Sequence, residues 1–306
     1  MNKFLKHIGL LIIPIFLVWL TVELFYRKVP NNYTFKNQLI KSKSETVEVL
    51  IFGDSHTFYG LNPEYFSNST LNMANVSQTI YFDKLLFEKH VSKLTNLKCV
   101  VLPIEYTTFS QADNIQEDYW RKYFYASQMG LTVPYIKWYD PKQYSLALTQ
   151  KFGKTGSYVK TFLNNKTLIG CDKKGWGNTY VSTVDSLELE RLSKIISRKH
   201  DDGSMDFSKN RERIDVLIQA CKEYNIQVVL VNMPVSQPYL SLLNQEEVTA
   251  ISKISKVFSQ TYEHVTHVNL LYDKRFSRKD FHDADHLNVN GAKKCSAIIN
   301  SVIENL

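Results

Sequence analysis

The stretch Val47-Glu48-Val49-Leu50-Ile51-Phe52-Gly53-Asp54-Ser55-His56 runs β-branched and apolar residues into Gly-Asp-Ser. Such a run reads as a buried strand that delivers a serine onto a tight turn at the edge of a sheet. In an open α/β sheet that edge is where ligands bind. A serine hydroxyl is a weak nucleophile until a neighbouring base takes its proton, usually a histidine oriented by a carboxylate. The far end of the chain offers both in Phe281-His282-Asp283-Ala284-Asp285-His286-Leu287-Asn288, followed by Gly291. Ser55 is therefore the candidate nucleophile and His286 the general base. Asp283, three positions earlier on a loop, is the carboxylate that fixes the imidazole. Asp285 is an alternative orienting acid. His56 and His282 are rival bases, although a histidine adjacent to the serine normally points away from it. The remaining reading makes Asp54, His56, Asp283 and His286 metal ligands.

Between these two blocks, apolar strands alternate with amphipathic helices. Val47 to Phe52 is the first strand, Thr70 to Met73 a short second one and Leu97 to Glu105 a third, while Thr79 to Leu94 has helical apolar spacing. After residue 200 the rhythm resumes with a helix over Arg211 to Tyr224 and a strand over Ile226 to Asn232. A helix over Glu246 to Thr261, a short strand over Val265 to Asn269 and a last helix from Asn290, its expected cap, to Ile303 complete it. Strands that are continuously apolar belong to a parallel sheet covered on both faces.

Residues from about 106 to 200 break that rhythm. They are dense in aromatics (Tyr119, Trp120, Tyr123, Phe124, Tyr125, Trp138, Tyr139, Tyr144) and then in glycines up to Gly177. They read as an insertion, partly helical, whose aromatics are either core or sugar-stacking surfaces.

Ile8 to Phe25 is nearly unbroken hydrocarbon, flanked by Lys3 and Lys6 on one side and Arg27 and Lys28 on the other. Roughly 18 residues give about 27 Å of helix, enough to cross a bilayer core. No small-x-small cleavage site follows, so an uncleaved anchor is expected over residues 1–28. Glu23 is close enough to its end to reach the headgroups. The polar stretch 29–46 reads as a tether, and residues 47–306 as the α/β domain. Flanking positive charges nearly tie, but a long domain after one short-tailed anchor usually translocates. The expectation is a single-pass inner (cytoplasmic) membrane protein with its C-terminal domain on the extracytoplasmic side.

The net charge of +7 suits anionic envelope polymers or lipid headgroups and equally a solvated surface. The clustered Arg and aromatic stripe of a nucleic-acid groove is absent. Cys99, Cys171, Cys221 and Cys295 show no Cys-x-x-Cys spacing, and buried free thiols are the default for Cys99, Cys221 and Cys295. No glycine-rich phosphate loop is present, and no cofactor or metal is expected.

The pairing of Gly53-Asp54-Ser55 at a strand end with a late Asp283-x-x-His286 resembles the SGNH (GDSL-type) hydrolase family. The resemblance implies a three-layer, flavodoxin-like parallel sheet and an acyl-serine mechanism with Ser55, Asp283 and His286 as the triad. It implies an oxyanion hole made by the Ser55 amide together with a glycine and an asparagine from two further blocks, and here the chain departs from the pattern. Asn72-Met73-Ala74-Asn75-Val76-Ser77 resembles the glycine block with Ser77 at the glycine position, and Ile104-Glu105-Tyr106 stands where Gly-x-Asn-Asp is expected. Asn75 or Asn72 is the substitute side-chain donor. An anchor followed by such a core is similar to the envelope acyl-transfer members of the superfamily. That similarity implies an esterase or O-acyltransferase acting on an acylated glycan or lipid, with a multi-spanning membrane acyltransferase as a possible partner. A fold-retaining binding or assembly protein without turnover is the alternative.

Overall fold

The computed structural model describes residues 2–110, 119–201 and 203–306; for 2–6 and Ser110 the backbone alone is described. In chain order the first elements are helices α1 (Asn2–Lys28) and α2 (Asn32–Ser42), strand β1 (Val49–Ile51), α3 (Ser55–Gly60), β2 (Thr70–Asn72), α4 (Ile80–His90), β3 (Cys99–Pro103) and α5 (Tyr106–Ser110). There follow α6 (Arg121–Met129), α7 (Phe152–Asn165), α8 (Ser186–His200), α9 (Ser208–Glu223) and β4 (Gln227–Asn232). The chain continues through α10 (Gln237–Leu240), α11 (Gln245–Thr261), β5 (Val265–Asn269) and α12 (Val289–Ile303). Two compact units result: residues 1–37 with 117–169, and residues 38–116 with 170–306.

The second unit is the α/β body. Its five strands are all parallel, as the apolar runs implied, in the flavodoxin-like order β2-β1-β3-β4-β5. Val49, Ile51, Val101, Val229 and Val231 share one face with Leu61, Cys295 and Ile299, so α12 and the segment after α3 cover that side. Leu50, Val100, Leu102, Val228 and Leu230 point the other way and are equally buried, which requires a second helical layer; α9 lies on β4 and against α4. Alternation of strand residues with both parities buried is what a run such as Val-Leu-Ile encodes.

The strands are shorter than their apolar runs because Val47 and Phe52 are buried outside the ladder. The last helix is capped by Asn288 and not by Asn290: the Asn288 side chain accepts from the amides of Asn290 and Gly291, at 2.9 and 3.1 Å. Cys99, Cys221 and Cys295 are buried thiols.

The first unit holds α1, α6 and α7. Within α1, His7–Lys28 is long and apolar enough to cross a membrane. Tyr26, Tyr33, Phe124 and Tyr125 make the unit's aromatic core, with ring centroids 5.7 Å apart for Tyr26 and Phe124 and 5.0 Å for Tyr33 and Tyr125. The aromatics of the expected insertion thus divide, because Trp120, Tyr123, Phe124 and Tyr125 are core while Trp138, Tyr139 and Tyr144 face outward. The insertion itself divides as well: 117–169 joins the first unit and 170–200 the α/β body, while 111–118 lie outside the described residues. The stretch 29–46, expected as a flexible tether, instead contains helix α2, with Tyr33, Lys36 and Ile40 buried at helical spacing. A lysine on the buried stripe is what disguised it. Glu23, expected among the headgroups, is buried and ion-paired with Arg27 four residues on.

Candidate active site

The serine turn is built from its backbone outward. Gly53 has φ +114°, and a Cβ there would collide with the Pro103 side chain and Thr57 Oγ1, so only glycine fits. Its amide donates to Asp83 Oδ1 at 3.0 Å, and Thr57 Oγ1 donates to Phe52 O at 2.8 Å. Asp54 then caps α3 by accepting from the His56 amide at 2.9 Å. Ser55 is the first residue of that helix, so its N–H has no intrahelical acceptor. The turn follows β1, and Glu105 follows β3. The site therefore lies at the carboxyl ends of the two strands where the sheet order reverses, the crevice in which open α/β sheets bind ligands.

The loop after β5 supplies the base. Asp283 Oδ1 accepts from the amides of Asp285 and His286, at 3.2 and 2.9 Å, so the chain curls around this carboxylate. The His282 amide donates to His286 O at 2.9 Å and closes the loop. The His286 imidazole then faces Asp283 with Nδ1, at 3.0 and 3.1 Å from the two oxygens, and Ser55 Oγ with Nε2 at 2.8 Å. The structure brings Ser55, His286 and Asp283 together, with the imidazole between the hydroxyl and the carboxylate. With Nδ1–H donating to the carboxylate, the Nε2 lone pair is aimed at the serine hydroxyl. Burial alone would lower the His286 pKa, but the charges of Asp285 and Asp283 outweigh it and hold the group above its ordinary value.

The rival bases are occupied elsewhere. His282 Nδ1 lies 2.7 Å from Ser182 O, and its ring stacks on Tyr180 with centroids 4.0 Å apart. His56 points away from the serine into a nest of acids. Its Nδ1 lies 3.0 Å from Asp54 Oδ1 and 2.6 Å from Glu105 Oε2, and its Nε2 lies 3.3 Å from Asp285 Oδ2. Burial disfavours charge on His56, yet Glu105 and Asp54 raise its pKa well above the usual histidine range. Glu105, buried among Asp54 and Asp285, is itself pushed up to about 7. Asp285 Oδ1 also stands 3.3 Å from His286 Nδ1, so one carboxylate touches both imidazoles. Behind it His200 Nδ1 meets the Tyr239 hydroxyl at 2.7 Å, and burial lowers the His200 pKa to about 4, which keeps that ring neutral.

No family model matches the chain and no curated protein matches it. Solved structures similar to it include an assigned acylhydrolase from Bacteroides fragilis, 13% identical, covering 89% of this chain and 95% of that one with a TM-score of 0.44. A GDSL-like lipase from Bacteroides thetaiotaomicron is 11% identical, covering 89% and 100% with a TM-score of 0.43. A protein of Streptococcus pneumonia assigned as a platelet activating factor is 10% identical, covering 96% and 98% with a TM-score of 0.45.

Of the expected oxyanion donors, the Ser55 amide stands at the helix start. The loop carrying Asn75 and Ser77 is tied to the serine turn by Asn75 N donating to Gly53 O at 3.1 Å. Ser77 has φ +56°, a left-handed conformation usual for glycine, which fits its place in the glycine block. Asn72 is spent on the backbone: its amide donates to Thr57 O and Leu61 O and its oxygen accepts from Ala74 N. Glu105 stands where the third donor was expected, and an ionised carboxylate can only accept.

The sequence reading missed Glu105 as the partner of His56, and it missed Tyr59 and Tyr180. These two rings stack at 3.7 Å and turn their edges toward His286. The mismatch at Ile104-Glu105 was the available signal for the first, whereas Tyr180 sits in a loop with no pattern to flag it.

Two trios, His56 with Asp285 and His286 and Asp54 with His56 and Glu105, are close enough to share an ion. The four ligands of the metal reading do not converge as one set, because the two nitrogens of His286 address Ser55 and Asp283.

Proposed function

We propose that this chain is a serine acyl-ester enzyme of SGNH type. The observation that carries the reading is the 2.8 Å approach of Ser55 Oγ to His286 Nε2 across 231 positions of sequence, with Asp283 on the other side of the ring. Ser55 Oγ attacks the ester carbonyl as its proton passes to His286 Nε2. The imidazolium is steadied by Asp283 and returns that proton to the leaving alkoxide, which departs as an alcohol and leaves acyl-Ser55. The Ser55 amide, with Asn75 and Ser77 in the adjoining loop, is the donor set for the oxyanion. A second hydroxyl, of water or of a glycan, then gives its proton to His286 and takes the acyl group, and His286 returns that proton to the departing Ser55 Oγ.

An apolar N-terminal helix and a basic net charge support an anchored protein working on acylated glycan or lipid outside the cytoplasm, with a multi-spanning acyltransferase as donor. A fluorophosphonate probe tests the chemistry. Labelling of the wild type that disappears in Ser55→Ala is the expected result; an unlabelled but folded wild type overturns it. Acyl transfer is separated from hydrolysis by offering an acyl donor with candidate glycans, where release to water with no acylated glycan counts against transfer. A reporter fused to the carboxyl terminus tests the side of the membrane, and cytoplasmic signal reverses the assignment.

Glu105 favours one alternative. A carboxylate where an oxyanion donor is expected suits a protein that keeps the fold to bind or assemble and does not turn over.

A further inference from the structure

Within the first unit, Trp19, Glu23 and Arg27 are spaced four apart and share one face of α1. All three are held by one short segment. Trp19 Nε1 donates to Ser145 Oγ at 3.0 Å, Glu23 Oε2 accepts from Ser145 Oγ at 2.8 Å and from the Ala147 amide at 2.9 Å, and Arg27 donates to Tyr144 O at 2.8 Å. Nine residues of helix, about 14 Å, are thereby clasped. Between Ile8 and Val18 the helix is bare and its apolar side chains are exposed. Those eleven residues reach about 17 Å, whereas a bilayer core is about 30 Å thick. A span therefore has to use the clasped turns too, and the clasp goes to the depth of the acyl and headgroup boundary with them.

The outward side chains of this segment suit that depth. Trp138 is 79% exposed and Phe152 is 84% exposed, with Tyr139 and Tyr144 also facing out. The Tyr144 hydroxyl donates to Trp138 O at 2.9 Å, which keeps the patch together. Exposed Lys137, Lys151 and Lys154 stand among them. Aromatic rings with polar edges concentrate at the headgroup level, and lysines there attract anionic lipid. The clasp also gives Glu23 hydrogen bonds inside a stretch where a bare carboxylate would be costly.

We propose that residues 137–152 form a lipid-binding surface that lies in the headgroup layer of the bilayer crossed by α1. This rests on the anchored reading above. The test uses the full-length protein in nanodiscs containing anionic phospholipid brominated near the headgroup end of the acyl chains, with tryptophan emission as readout. The expected result is that Trp138→Phe removes a quenched component, that Trp19→Phe removes another, and that Phe152→Trp adds one. Quenching that responds to Trp19→Phe but to neither Trp138→Phe nor Phe152→Trp overturns the proposal and leaves the anchor standing. Quenching that responds to none of the three overturns both.

Discussion

His56 and His286 lie with their rings nearly parallel, centroids 5.1 Å apart, and the Asp285 carboxylate spans them at 3.3 Å from a nitrogen of each. The His286 imidazole thus feels two acids, of which Asp283 makes the hydrogen bond. Asp283→Asn is expected to lower turnover by roughly 10²–10⁴, since it removes the negative charge and can present an amide N–H to Nδ1, which favours the wrong tautomer. Asp285→Asn acts through charge and positioning, so its loss should be smaller and accompanied by an altered pH profile. Esterase kinetics on both variants check this. Equal losses with identical profiles would contradict the division of labour.

The pH profile has a definite sign. His286 must be neutral to accept the Ser55 proton, and its pKa is raised by Asp285 and Asp283 against the effect of burial. Activity should therefore fall on acidification with a midpoint above the ordinary histidine value of about 6.5. In Asp285→Asn one of those negative charges is gone, so the midpoint should move to lower pH. A shift upward would refute the assignment.

Asp83 holds the serine turn from beneath, accepting from Gly53 N at 3.0 Å and from Gln78 Nε2 at 2.6 Å. Burial raises its pKa to about 7 from 3.8. A carboxyl whose folded pKa lies above its unfolded one binds more protons when folded, so it lowers stability as pH rises through that interval. Over the window from about 4 to 7 the loss is on the order of a few kcal/mol. Asp83→Asn keeps the acceptor and removes the ionisation. Its Tm should decline less between pH 5 and pH 8 than the wild type's, as thermal unfolding at several pH values would reveal.

Gly53→Ala puts a methyl group against Pro103 at a positive φ. The expected destabilisation is at least about 2 kcal/mol, or roughly 4–8 °C in Tm for a body of this size. Because Ser55 is two residues away, fluorophosphonate labelling should weaken even at temperatures where the variant is folded. Unchanged Tm and unchanged labelling together would contradict the packing described for the turn.

Much of the α/β body could be read from hydrophobic pattern alone. Val49–Ile51, Cys99–Pro103 and Gln227–Asn232 are buried on both sides, and a continuous apolar run is the direct imprint of that environment. The serine and the Asp-x-x-His loop were legible because each is a local motif with an identifiable chemistry. Helix α2 was not, since Lys36 sits on its buried stripe and the segment reads as polar. Nor was the His56 cage, because it joins residues that are far apart in sequence: Asp54 and His56 from the start of α3, Glu105 from just after β3 and Asp285 from the loop after β5. Charges compensated across the fold leave no periodic trace along the chain.

The 231 positions between the hydroxyl and its imidazole have a consequence for synthesis. At roughly 5–20 residues per second the ribosome makes Ser55 about 10–50 s before His286. Throughout that interval Ser55 lacks the imidazole that the fold later sets beside it. The two meet only once the segment after β5 has packed, with α12 against α3 and Ser296 Oγ accepting from the Asn62 amide at 2.8 Å, so on the proposed mechanism the hydroxyl gains its base late in synthesis.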